Sequence, residues 1–245
     1  MLFFFFACFD QASAEKPTTE MCRHYRSWKK SGISAAALQQ GLFYYQENYD
    51  TFDNHTSIAI ADYSLSSRKK RFFVFSWKDG AVQKVQVSHG SGKQQEKKWG
   101  DINNDGMLDA CDKDGNQTNM TRVGFFKVGE YYLSTNHSPK KWPNLQIEGE
   151  SGRINGLRMD GLSSTNKKSR SRGVVMHEAM YNSGRPGRQM GKSFGCPAFR
   201  PGEGSKIMPY FAHGGMFYAY VPQCKTQYQK VLDEVPNWEE MCESD

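Results

Sequence analysis

Cys196 and His177 are the two residues of this sequence best suited to covalent chemistry. Both lie in VVMHEAMYNSGRPGRQMGKSFGCPAFRP, residues 174–201, separated by nineteen positions. Acyl transfer by a thiol needs a base to form the thiolate and N–H donors for the oxyanion that develops. The apolar run Gly173-Val174-Val175-Met176 reads as a short buried strand that delivers His177 at its end. Ser193, Phe194 and Gly195 form a turn rich in small residues, from which the thiol projects while nearby backbone N–H groups point at one place. Arg188 and Lys192, with Arg185, stand close in sequence, suited to lowering the thiol pKa or holding a substrate carboxylate. The spacing by itself also fits a buried structural cysteine, which behaves as a small hydrophobe.

A second constellation is acidic. Asp101, Asn103, Asp105, Asp109 and Asp112 place oxygens at positions 1, 3, 5, 9 and 12 of a loop, with Gly106 at position 6. Met107 would offer its backbone carbonyl at position 7. This is the oxygen-rich spacing that suits Ca²⁺, and it resembles EF-hand and dockerin-type loops, with Asp112 in place of the commoner Glu. Neither flank reads as a strong helix, so the expectation is an isolated structural calcium loop within residues 91–122. The alternative is a solvated acidic turn.

The elements that must position these groups are mostly strands. Residues 34–49 carry apolar side chains at helical spacing, whereas from Thr56 onward the periodicity changes. Ile58 and Ile60 lie in one strand, Arg71 to Trp77 (RFFVFSW) in the next, and Asp79-Gly80 turns the chain toward Val82, Val85 and Val87. Further strands are expected at 123–126, 157–160, 173–176 and 216–221. The division expected is a signal peptide at 1–14, an N-terminal helical extension at 15–50, a catalytic domain at 51–222 and a tail at 223–245.

Composition narrows the function classes. A chain of 245 residues with 38% hydrophobic and 13% aromatic side chains is long enough for one substantial core. The net charge is +6, but the basic residues form scattered loop clusters, so no nucleic-acid partner is expected. Modest positive charge suits an anionic surface such as a cell wall. Residues 1–9 are almost wholly apolar, and Ala12-Ser13-Ala14 supplies a cleavage pattern, predicting export to the periplasm or cell envelope without a membrane span. Of six cysteines, Cys8 would leave with the signal. Five then remain, so one stays unpaired in an oxidising compartment, and Cys22, Cys111, Cys224 and Cys242 allow three pairings.

These residues resemble the signature of the murein L,D-transpeptidase catalytic family, whose members carry a His at the end of a buried strand followed by a Ser-x-Gly-Cys turn. Pro197-Ala198 after the cysteine matches one branch. So do the Ile58–Asp62 strand, the RFFVFSW hairpin, Val87-Ser88-His89-Gly90, Gly124-Phe125 and the 157–162 stretch, in order. The resemblance implies a mainly β fold, an L,D-transpeptidase-type β-sandwich with a few short helices. It implies that Cys196 forms a thioester with a peptidoglycan stem peptide, that His177 moves the proton, that the Gly195 and Cys196 amides meet the oxyanion, and that an amine acceptor resolves the intermediate. Water as acceptor would make the chain a carboxypeptidase or endopeptidase, and a decayed site would leave a noncatalytic wall-binding module. No organic cofactor is implied. Two departures stand out. Phe194 replaces the His that commonly precedes Gly-Cys, which shifts any role for a second histidine toward His89. Glu178 replaces a common Gly, which would put an anion beside the base, narrowing the cleft or raising the imidazole pKa.

Overall fold

The computed structural model describes residues 19–91, 107–108, 111 and 119–242. The expected signal peptide lies outside the described residues, as does most of the acidic loop. In chain order the elements are α1 (Thr19–Trp28), α2 (Ala35–Glu47), β1 (Ser57–Asp62), β2 (Phe72–Ser76), β3 (Val82–Val85), β4 (Gly124–Tyr132), β5 (Gly156–Gly161), β6 (Val175–Glu178), β7 (Ala198–Phe199), α3 (Gly204–Ile207), β8 (Met216–Tyr220) and α4 (Lys225–Leu232).

Among the described residues the strands form one mixed sheet of eight, ordered β3-β2-β1-β8-β4-β5-β6-β7. The β1–β8 and β6–β7 pairs are parallel; the rest are antiparallel. Beyond β3 the chain reaches across to β7, where the Ser88 N–H donates to the Ala198 carbonyl at 2.9 Å. That bridge draws the sheet's two ends together, so the mainly β reading is realised as a single sheet curling toward a barrel.

Both faces of the central strands are covered, which is why Phe72 to Phe75 of β2 are apolar without a break. Alternate side chains point to opposite faces. Phe72 turns inward against Phe199 and Phe217, with ring centroids at 4.9 and 5.5 Å. Phe75 turns outward under Trp28 of α1, at 5.0 Å. On the same outer face Phe125 of β4 lies stacked between Tyr44 of α2 and Tyr218 of β8, at 3.7 and 4.2 Å. Helix α2 comes so close to β1 that a Cβ on Gly41 would sit 2.7 Å from Ile60 Cδ1. Gln40 is buried there, accepting from Tyr218 Oη at 2.7 Å and donating to Tyr228 Oη at 2.8 Å. Two disulfides join distant segments, Cys22 to Cys242 and Cys111 to Cys224, which selects one of the three pairings left open by the sequence. Among the described cysteines Cys196 is the free thiol.

Candidate active site

Parallel pairing of β6 with β7 sets His177 opposite Ala198, two residues after Cys196. The thiol's turn is thereby held alongside the strand that carries the imidazole. Cys196 Sγ accepts from the Val175 N–H at 3.5 Å and points its own proton toward the Gly173 carbonyl at 4.0 Å. Among the described residues no hydrogen bond joins Sγ to His177. The two groups share a roof, because Trp142 stacks on His177 and packs with Cys196 and Val175.

Ser193 builds the turn. Its Oγ donates to the Cys196 carbonyl at 2.5 Å and accepts from the Gly195 N–H at 3.1 Å. Its backbone N–H donates to the His89 carbonyl at 3.0 Å, while its carbonyl accepts from Ser91 at 2.8 Å. Gly195 has φ +110°, and a Cβ there would lie 2.9 Å from the Met120 carbonyl oxygen, so the position needs glycine twice over. The Gly195 amide is used within the turn, whereas the Cys196 amide has no partner among the described residues. Of the two expected oxyanion donors, Cys196 N–H is therefore the available one. Phe194 is 64% exposed and takes no part in the turn's hydrogen bonds.

The tautomer of His177 follows from its partner. Nδ1 lies 2.9 Å from the Glu178 backbone carbonyl, which can only accept, so Nδ1 carries the proton and Nε2 keeps its lone pair. Burial holds the imidazole down to about 3, against a partial rise from the Glu178 carbonyl. Burial likewise pushes the Cys196 thiol up to about 11, partly offset by the Val175 N–H. The resting pair is neutral thiol and neutral imidazole at pH 7.

Glu178 does not face His177. Consecutive strand residues face opposite sides, and its carboxylate turns away from His177 to accept from Gly202 N–H at 2.7 Å, Ser205 N–H at 2.8 Å and Ser205 Oγ at 2.9 Å. The expected anion beside the base is instead bound to backbone at the start of α3.

His89 is fully buried with its ring against Arg71. The Arg71 guanidinium lies 2.8 Å from His89 Nδ1 and can only donate, so Nδ1 accepts and the proton sits on Nε2. Burial, then Arg71, then Lys192 hold this imidazole well below 6.5. Nε2 has no partner among the described residues. Arg71 also donates to the carbonyls of Val87 and Leu65, pinning the segment after β3 that carries His89.

The cationic residues expected near the thiol divide. Lys192 is half-buried near His89, whereas Arg185 and Arg188 are exposed. The latter two contribute through backbone: the Arg188 carbonyl accepts from Gln86 Nε2 at 2.9 Å and the Arg185 carbonyl from buried Arg200 at 2.9 Å. Asp101, Asn103, Asp105, Asp109 and Asp112 lie outside the described residues. Met107 is half-buried, Leu108 is fully buried in the main core, and Cys111 is bonded to Cys224.

Trp142, Arg71 and Arg200 escaped the sequence reading. Arg71 carried a signal, a charge opening an otherwise apolar strand run. Trp142 stands in the irregular stretch His137-Ser138-Pro139-Lys140-Lys141-Trp142 with no periodicity to place it.

Comparison with known proteins adds a family. No curated protein matches. A solved structure of Bdellovibrio bacteriovorus Bd1075 matches 78% of this chain at 12% identity and a TM-score of 0.38. The alignment spans 59% of that chain, less than two thirds of its length. The family model YkuD_2, L,D-transpeptidase catalytic domain, matches residues 29–220, from the end of α1 to the end of β8 and including both Cys196 and His177. The chain belongs to the L,D-transpeptidase catalytic domain family.

Proposed function

We propose that this chain is an exported peptidoglycan L,D-transpeptidase with Cys196 as nucleophile and His177 as base. The observation that carries the reading is the pairing of β6 with β7, which brings a base of defined tautomer and the turn bearing the free thiol among the described cysteines onto neighbouring segments. Nε2 of His177 takes the Sγ proton as sulfur attacks a stem-peptide carbonyl. The oxyanion is met by the Cys196 N–H. The C–N bond to the terminal D-alanine breaks, and its nitrogen leaves with the proton from Nε2. The thioester is then attacked by an acceptor amine, whose proton passes through Nε2 back to sulfur as the new amide forms. A neutral resting pair suits this cycle, because the thiolate arises only with substrate in place. Asp101, Asn103, Asp105, Asp109 and Asp112, with the Met107 carbonyl, would hold a structural Ca²⁺ at the inserted loop.

Purified protein incubated with disaccharide-tetrapeptide, with products weighed by mass spectrometry, tests the reading. A dimer lacking one D-alanine supports transfer, whereas shortened monomer alone assigns a hydrolase on the same fold. Full activity in Cys196→Ala would overturn both.

A further inference from the structure

The imidazole of His177 is gripped at one atom by the Glu178 carbonyl. With the bond to Cβ, that hydrogen bond holds one edge of the ring but puts nothing against its face. A stacked neighbour supplies the missing constraint. Trp142 lies on His177 with centroids 3.5 Å apart and planes 14° from parallel. On the other face of the indole lies His137, at 3.8 Å and 7°. The three rings form one pile, His137 over Trp142 over His177.

The pile is anchored at its outer end. His137 Nδ1 is 2.8 Å from Ser134 Oγ, and the Ser134 N–H donates to Asn155 Oδ1 at 2.7 Å, so the base of the β4–β5 connection holds the outer ring. The loop docks on the site again where the Met180 N–H donates to the Lys141 carbonyl at 3.0 Å. Trp142 itself is 8% exposed, as is Cys196, and His177 is 1% exposed. One side chain thus touches both reacting groups without supplying any atom to the reaction.

We infer that Trp142 is a positioning residue: its indole sets the plane of the His177 ring, aiming Nε2, and shields the thiol and imidazole from solvent. This rests on His177 acting as base. A filler role would require only apolar volume, whereas positioning requires a flat ring, and that difference separates the two. Among the described residues, the titratable groups shown near the His177 ring are Tyr181, with centroids 6.4 Å apart, and His137, stacked on the far face of the indole. The Glu178 carboxylate is bound elsewhere, to Gly202 and Ser205.

Trp142→Phe keeps a ring, and Trp142→Leu keeps apolar volume without a plane. Both are compared with wild type for turnover on disaccharide-tetrapeptide, for Cys196 alkylation by iodoacetamide at pH 7.5, and for the His177 ring titration by NMR. Trp142→Leu should lose about tenfold to a hundredfold in kcat with KM within about threefold, the cost of a misaimed base. Its alkylation should quicken at least about threefold and its His177 midpoint should rise toward the ordinary ~6.5 as solvent gains access. Trp142→Phe should stay near wild type in all three. Equal behaviour of the Leu and Phe variants in alkylation and titration would overturn the inference. A wild-type protein inert on stem peptides, with those two readouts still splitting Leu from Phe, would sink the proposed activity and leave the role of Trp142 standing.

Discussion

Glu178 and Ser205 meet twice, since one carboxylate oxygen accepts from the Ser205 N–H at 2.8 Å and from its hydroxyl at 2.9 Å. With Gly202 on the other oxygen, this buried carboxylate ties the end of β6 to the chain entering α3. The residue after His177 is therefore placed to hold the fold together. Glu178→Gln should cost about 1–3 kcal/mol in urea unfolding, because an amide nitrogen must face a donor. Product distribution on muropeptides should stay as in wild type, and a change in acceptor choice would count against this placement.

The buried histidines make the fold acid-sensitive. His177 is held down to about 3 by burial, and His89 lies well below 6.5 for the same reason plus Arg71 and Lys192. The unfolded chain, with ordinary histidines, binds more protons between those values. Stability from these groups is thus complete above pH ~6.5 and is lost as pH falls toward the folded values. His177→Gln should flatten the decline, recovering roughly 2 kcal/mol at pH ~4.5 relative to its own value at pH 7.5. Urea titrations at the two pH values measure it; parallel slopes for variant and wild type would refute the assignment.

The Arg71–His89 contact gives a graded pair of substitutions. His89→Leu leaves the guanidinium N–H facing Nδ1 without that acceptor and should destabilise by about 1–3 kcal/mol. His89→Gln restores an acceptor oxygen and should recover more than half of the loss. Equal destabilisation by both would mean that shape, not the hydrogen bond, decides the position.

If the acidic loop binds Ca²⁺, the ion stabilises the folded state by mass action, by about 2.7 kcal/mol at a hundredfold excess over Kd. Calcium should raise the melting temperature reversibly, a chelator should lower it, and Asp101→Asn with Asp105→Asn should abolish the difference. A melting curve indifferent to both calcium and chelator would dismiss the metal.

Much of the scaffold was legible from periodicity. RFFVFSW contains β2, the run ending at His177 contains most of β6, and 216–221 contains β8, each apolar because both of its faces are covered. Helix α2 lies within the stretch 34–49 that carried helical spacing. Cysteine parity left one thiol without a mate, the motif pointed to Cys196, and the described disulfides leave Cys196 free. What escaped depends on contacts between distant segments. The curl of the sheet follows from the Ser88–Ala198 bridge, more than a hundred residues apart in sequence. Trp142 reaches His177 from an irregular loop, and no local pattern encodes that meeting. Glu178 was open to a better reading: strand alternation alone turns it away from its neighbour. Its partners, Gly202 and Ser205, were not foreseeable from sequence.

The Cys22–Cys242 bond has a mechanical consequence. It joins α1 to the last described turn across a separation of 220 residues, so nearly all of the described chain is enclosed in one covalent ring. Tension applied to the two ends of the described chain is carried from one sulfur to the other and bypasses the strands between. Unless that bond is reduced, the enclosed segment cannot be drawn out end to end. The curled sheet, and the candidate site held by β6 and β7, would keep their shape under a load that would unzip an open chain.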